Sequence, residues 1–160
     1  MECNDNTKGL FSFVGLSIKS FQLVGTIRNT EINLDSLYIS SLELRGVNNY
    51  GQISINDIHP YIDYSKIIFF KSALGNLTLF NCDLDGFNSI LIDSVHLTEL
   101  KAIQTKWFNP GKLNNEDNLT TRRTILNREI YRQLKLAMTA QADTIQALEF
   151  KNLEMAEYMK

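Results

Sequence analysis

Glu31-Ile32-Asn33-Leu34-Asp35, Ser36-Leu37-Tyr38-Ile39-Ser40, Ser41-Leu42-Glu43-Leu44-Arg45: written in fives, residues 31–45 carry an apolar side chain at the second and fourth place of every line. All other places are polar except Tyr38. An α-helix does not give this pattern, because its apolar stripe recurs every 3.6 residues. A half-buried strand alternates, but it keeps alternating, whereas here the phase resets after two apolar positions. Separate strands would need turn residues between the lines, and few occur. A chain that turns a corner every five residues accounts for the pattern, with two side chains sent inward from each face.

The same beat extends in both directions. Phe11/Phe13, Leu16/Ile18 and Phe21/Leu23 precede it. Ile67/Phe69, Ser72/Leu74, Leu77/Leu79 and Cys82/Leu84 follow, then Ile90/Ile92, Val95/Leu97 and Leu100/Ala102. The phase slips near residues 24–31, 45–66 and 85–90. Val47 to Gly51 reads as a turn. His59 to Tyr64 reads as a loop, because proline is a poor member of a ladder. Such a chain is a solenoid in which each coil touches only its neighbours and the ends need caps. At about 20 residues per coil, residues 11–107 make roughly four to five coils, above the roughly three that repeat folds need. Each buried Leu, Ile or Phe contributes about 1.5–3 kcal/mol. Leu37→Asp or Leu79→Asp is therefore expected to unfold the region, and Glu43→Gln to matter little.

Ser72-Ala73-Leu74-Gly75-Asn76, Leu77-Thr78-Leu79-Phe80-Asn81 and Cys82-Asp83-Leu84-Asp85-Gly86 resemble pentapeptide repeats, with Cys82-Asp83-Leu84 nearest the family's pattern. The resemblance implies a right-handed, four-sided parallel β-helix with four pentads per coil. The first inward position here is usually Ile or Leu instead of Ala or Ser, which implies a wider or less regular coil.

Beyond Trp107, expected to plug the last coil, Asn109 to Asn118 is rich in turn formers and reads as a linker. Thr120-Thr121-Arg122-Arg123 opens a helix that continues through Ile130, Leu134, Ala137, Met138 and Gln141, a helical spacing with an apolar face. Asp143 or Thr144 caps a second helix, Ile145 to Tyr158. The pair loosely resembles one tetratricopeptide-type hairpin, on Tyr131, Ala137, Asp143, Ala147 and Phe150. Its expected task is to cover the open edge of the last coil. The expected fold class is thus mainly β: a right-handed parallel β-helix followed by a C-terminal α-helical hairpin. The boundaries are a polar lead-in at 1–10, the β-helix at 11–107, a linker at 108–118 and the hairpin at 119–160.

The chain has 160 residues, a 44% hydrophobic content and a net charge of −2. That charge gives no reason to expect nucleic acid, which needs a basic surface, and it disfavours a DNA mimic of the kind found among some pentapeptide-repeat proteins. No stretch reaches the roughly 18–20 apolar residues of a membrane span. Membrane association is expected only if the natural chain continues beyond Lys160. Two cysteines leave a Cys3–Cys82 pairing open but set no framework, and a reducing, cytoplasmic setting fits them best.

Little of the sequence carries chemistry. His59 and His96 lack a metal-ligand spacing. No nucleophile elbow or phosphate loop is present. Asp83 and Asp85 flank inward Leu84, so both should face out. Paired carboxylates can serve glycoside chemistry, but solvated pentad positions are the plainer reading. Tyr50, Tyr61 and Tyr64 around His59 could be an aromatic ligand platform or rings that pin a loop. The first helix is basic and the second acidic, which reads as salt-bridged faces or as a patch for an anionic partner, lipid included. The second helix is apolar on more than one side. The expected function is a non-catalytic protein-interaction or scaffolding module, the soluble part of a longer bacterial protein. The alternative is a carbohydrate-active β-helix enzyme or carbohydrate-binding module. No cofactor and no metal are expected. Partners would be another protein or a second copy, met through the C-terminal helices. The residues singled out for contact are Tyr50, His59, Tyr61, Tyr64, Phe150, Met155 and Met159.

Overall fold

In the computed structural model, residues 9–61, 64–114 and 120–159 are described. The first of these segments runs through β1 (Gly9–Val14), β2 (Ser17–Ile27), β3 (Thr30–Asp35), β4 (Tyr38–Asn49), β5 (Gln52–Asn56) and β6 (His59–Pro60). The second holds β7 (Lys66–Phe70), β8 (Leu77–Phe80), β9 (Ser89–Asp93), β10 (Lys101–Ile103) and β11 (Leu113–Asn114). Two helices follow, α1 (Thr120–Ala140) and α2 (Thr144–Tyr158). Every strand pairing is parallel and joins one coil to the next. One sheet stacks β1-β3-β5-β8-β10, the other β2-β4-β7-β9-β11. The chain is a parallel β-solenoid of about five turns followed by a helical pair.

The paired apolar positions point inward. Ile32, Leu34, Leu37, Ile39, Leu42 and Leu44 are all buried, as are Ile67, Phe69, Ser72, Leu74, Leu77, Leu79, Cys82 and Leu84. In the fourth run, Ile90, Ile92, Val95, Leu97 and Leu100 are buried and Ala102 partly so. The region read as out of phase also supplies the core, through Val47, Ile53, Ile55 and Ile58.

The coils exceed four strict pentads. Gly9 pairs with Thr30, Glu31 with Gln52, Ile53 with Leu77 and Thr78 with Lys101, spacings of 21, 21, 24 and 23 residues. The extra residues sit at corners. Gly15, Ser36, Asp57, Asn81 and Gln104 form one stacked corner, and all five have left-handed backbone, with φ between 50° and 66°. Gly25, Gly46, Lys71 and Ser94 form a second. Left-handed backbone is cheap for Gly and tolerable for Asn, Asp and Ser, which is why corners that carry few turn signals in sequence can still bend.

Three readings need correction. His59–Pro60 is not a loop but a rung, pairing with Tyr38 and Ile39 of β4. The bonds to the neighbouring coil use the amides of His59 and Tyr61, which donate to the Leu37 and Ile39 carbonyls. Pro60 lies between them, so its missing donor would have pointed at the other neighbour, where the chain is a 3₁₀ turn at Leu84–Gly86. Four extra residues fall between Pro60 and Lys66, because β4 pairs with β6 at a spacing of 21 and with β7 at 25. Val47–Asn49 is strand, not turn. The linker begins later than expected: Phe108 and Leu113 are buried, and β11 pairs with β9.

Inside the fourth face Asn49 is buried and holds a corner. Its side-chain amide donates to the Leu74 and Asn76 carbonyls, and its carbonyl accepts from the Gly51 amide at 3.0 Å. A Cβ on Gly51 would lie 2.1 Å from the Thr30 carbonyl oxygen of the preceding coil. Leu79→Ala should lower the unfolding free energy by about 2–5 kcal/mol. Gly51→Ala should cost about 1–3 kcal/mol through forced backbone movement. Urea melts read both, and an unchanged midpoint for Gly51→Ala would refute the corner contact.

Candidate functional site

Two surfaces concern function: the helical cap at the last coil, and the outer face that carries the tyrosines, His59 and the acidic pair.

The last coil presents unpaired backbone, and α1 lies across it. The Leu97 amide donates to Gln133 Oε1 at 2.8 Å, and Gln133 Nε2 donates to the Val95 carbonyl at 3.0 Å. Eight residues on, Gln141 repeats the arrangement: the Ala102 amide donates to its Oε1 at 2.7 Å, and its Nε2 donates to the Leu100 carbonyl at 3.2 Å. A carboxamide has the same donor and acceptor as a peptide group, so each glutamine stands in for one peptide of a further coil. Arg123 donates to the Leu113 carbonyl at 3.3 Å. Ile130, Leu134, Ala137 and Met138 are buried beside these groups.

α2 packs on α1 across a polar seam. Lys135 meets Glu154 at 2.6 Å, and Asn127 donates to Glu157 at 3.5 Å, with all but Lys135 of these side chains buried. Arg132 pairs with Glu129 within α1. The basic helix and the acidic helix therefore meet each other in part, as salt-bridged faces. Asp143 is the N-cap of α2, accepting from the Gln146 amide at 3.1 Å. Phe150, read as a contact residue, belongs to the core. It is buried, edge-on to Trp107 at 5.2 Å and stacked on Tyr131 at 6.5 Å. Trp107 thus joins the last coil to α2, while Phe108 and Leu113 fill the coil's interior. Burial, and next the Glu157 carboxylate, push the Tyr131 phenol up to about 12. The opposite side of α2 is different: Ile145, Leu148, Met155 and Met159 are all more than half exposed.

Tyr50 stands apart from His59. Tyr50 lies at the corner between Asn49 and Gln52, under Arg28 at 5.6 Å. Tyr61 and Tyr64 lie at the corner between β6 and β7, two faces further along the coil. The three residues are 71%, 53% and 87% exposed, so they do not pin a loop by burial. His59 lies against Tyr38, rings tilted by 30° and 5.4 Å apart, and meets Asp57 at 3.2 Å.

Asp83 and Asp85 face out, as expected, but they are already partnered. Lys106 lies 3.5 Å from each, and Lys112 lies 3.1 Å from Asp85. The Asn109 amide and the Lys112 ammonium hold Asp85 below the usual carboxylate range. A glycosidase general acid needs the opposite shift. Cys82 is a free, buried thiol whose pKa is raised by burial; Cys3 lies outside the described residues. Among the described residues no cluster of three or more His, Cys, Asp or Glu could hold a metal, and no helix is long and apolar enough to cross a membrane. The chain matches no family model, curated protein or solved structure with which it was compared.

Glu43, an outer position of its pentad expected to tolerate replacement, anchors a network with Ser41, Arg45 and Lys66. Burial pushes its carboxyl up, but hydrogen bonds from Arg45, Ser41 and Lys66 outweigh that and bring it from 4.5 to about 2. The stability it contributes is therefore present above pH about 4.5 and lost as pH falls towards about 2. Glu43→Gln should flatten the melting temperature over that window, and a slope identical to wild type would exclude the network. Gln133→Leu should cost about 1–3 kcal/mol, because it orphans a donor and an acceptor of the last coil. Gln141→Leu should cost the same. Urea melts check both, with Gln146→Leu, whose side-chain amide donates to Glu149 on α2 and to no group of the last coil, as the control.

Proposed function

We propose that this chain is a non-catalytic protein-interaction or scaffolding module, with a solenoid of the pentapeptide-repeat kind as its rigid body. The five-residue spacing of inward pairs supports that kinship, and the 21–25-residue coils mark its departure from four strict pentads. The single hairpin, with Asp143 and Phe150 at structural positions, is the remnant of likeness to a tetratricopeptide unit. A free buried Cys82 suits a reducing, cytoplasmic setting.

One observation carries the reading. α2 is anchored on one side by Phe150 and presents Ile145, Leu148, Met155 and Met159 to solvent on the other. These residues, with Asn152, follow a three-then-four spacing that lines up along one face of a helix. An exposed apolar stripe on a helix already fixed to a scaffold is the form a docking face takes. The partner is a protein helix or a second copy. The carbohydrate-active alternative has no such observation behind it, since its two carboxylates are engaged by Lys106 and Lys112.

The test is photo-crosslinking in cells from a reactive residue at Leu148 or Met155. The expected result is a discrete protein adduct from both sites and none from Asn81, an exposed solenoid corner. Equal, diffuse labelling from all three would remove the docking face.

A further inference from the structure

The helical cap satisfies part of the last coil's edge and leaves the next part open. In each lower coil the amide at the stacked left-handed corner donates to a carbonyl of the coil above. Gly15 donates to Asp35, Ser36 to Asn56, Asp57 to Phe80 and Asn81 to Ile103, at 2.9–3.0 Å. Gln104 is the next corner of that series, with φ 51°. Among the described residues nothing accepts from its amide. The Ala102 amide bonds to Gln141. The N–H and C=O of one strand residue point to the same edge, so the Ala102 carbonyl also faces the place of a missing coil.

The same holds one face further on. Lys106 donates to the Cys82 carbonyl and accepts from the Leu84 amide, both at 2.9 Å. Because Lys106 pairs with Asp83, Thr105 and Trp107 stand directly above Cys82 and Leu84. The Thr105 carbonyl and the Trp107 amide have no partner among the described residues. Ala102, Gln104, Thr105 and Trp107 form one wall of a hollow of about 330 Å³, and Met138, Asp143, Ile145 and Gln146 of the cap form the other. Gln146 does not fill it as Gln133 and Gln141 fill their rungs, because its carboxamide nitrogen donates to Glu149.

We propose that this hollow binds an extended segment of a partner protein, which adds two rungs to the last coil. The free groups select a peptide. They run carbonyl, amide, carbonyl, amide, and a parallel strand answers them with the N–H and C=O of two residues three apart, as Ile103 and Lys106 answer the coil beneath. The size selects a single chain. The volume is at the lower end of the roughly 300–1,000 Å³ of ligand sites, and α1 already stands across the edge from Val95 to Ala102, so a whole coil has no room. The wall also sets the side chains of the guest. Its first residue stands over Ile103, which is 47% exposed, and its fourth over the Lys106 side chain, which is 63% exposed. Stacked neighbours of that kind favour an apolar and an acidic residue. Its second residue turns the left-handed corner, which favours Asn or Gly. Its third points inward over Thr105 and is apolar. The site lies on the coil's edge and touches the α2 stripe only at Ile145.

Amide exchange and an NMR titration of the wild-type chain test this. In the free chain the Gln104 and Trp107 amides should exchange without protection at every protein concentration. A peptide blocked at both termini, with Val-Asn-Val-Glu at its centre, should move both amide resonances and slow their exchange. N-methylation of its first valine and of its glutamate removes the two donors and should weaken binding roughly tenfold or more. Leu148→Lys should leave the titration unchanged, so this site and the α2 docking face stand or fall separately. Protection of both amides in the dilute free chain overturns the proposal, because the chain then covers its own edge. Protection that grows with protein concentration overturns it in favour of a second copy. A titration that moves neither resonance, equal binding of the methylated peptide, or binding lost in Leu148→Lys overturns it as well.

Discussion

A coil of this protein satisfies its backbone only by borrowing from the coils on either side. In β4 and β7 the hydrogen bonds run from coil to coil and none closes within a single turn. An unpaired buried peptide group costs about 1–3 kcal/mol, so the fold has two problems that a helix bundle does not have, one at each end. Much of what departs from a plain repeat is an answer to that constraint. Gln133 and Gln141 place carboxamides where a sixth coil would place peptides, and the two-turn spacing between them matches two successive inward faces of the last coil. Phe150 and Trp107 then tie α2 to the same end.

The interior of the solenoid was legible because its rule is local. Two apolar residues, a corner and two more give Ile32/Leu34 then Leu37/Ile39, and nothing distant alters that order. The corners were less legible. Ser36, Asp57, Lys71 and Gln104 adopt left-handed backbone without being glycine, because the coils above and below hold them there. Asn49 shows the same effect from inside: as a polar residue next to Asn48 it reads as turn, yet it is a buried clamp on two carbonyls of the next coil. Pro60 misled for a related reason. A proline breaks a ladder only where its missing donor was needed, and that depends on which neighbour each residue faces.

The cap and the candidate contact surface were legible only in outline. Helical periodicity located α1 and α2 and named Asp143 as a cap. It could not say which side of α2 would be buried, because both sides are apolar, and Phe150 fell on the side that closes the core while Met155 and Met159 did not. Gln141 fell on the spaced face of α1 and Gln133 did not, and neither glutamine signalled its bonds, since the strand edge opposite was not known from sequence. The same holds for the aromatic residues. Proximity in sequence put Tyr50, Tyr61 and Tyr64 around His59, but five residues here carry the chain round a corner, so near neighbours in sequence lie on different faces.

A one-dimensional stack distributes stability unevenly. A coil with neighbours on both sides gains two interfaces and a terminal coil gains one, so an end that has no cap is the least stable part of the array. The C-terminal coil escapes this by being bonded to α1. Among the described residues the N-terminal coil, Gly9 to Ile27, pairs only with β3 and β4, and Phe13, Phe21 and Leu23 are partly buried. The capped end turns the solenoid into a rod with a defined polarity: α2 offers a side chain stripe at one extremity, and the first coil offers backbone and phenylalanine at the other. The two extremities thus differ in chemistry, and the number of coils between them sets their separation.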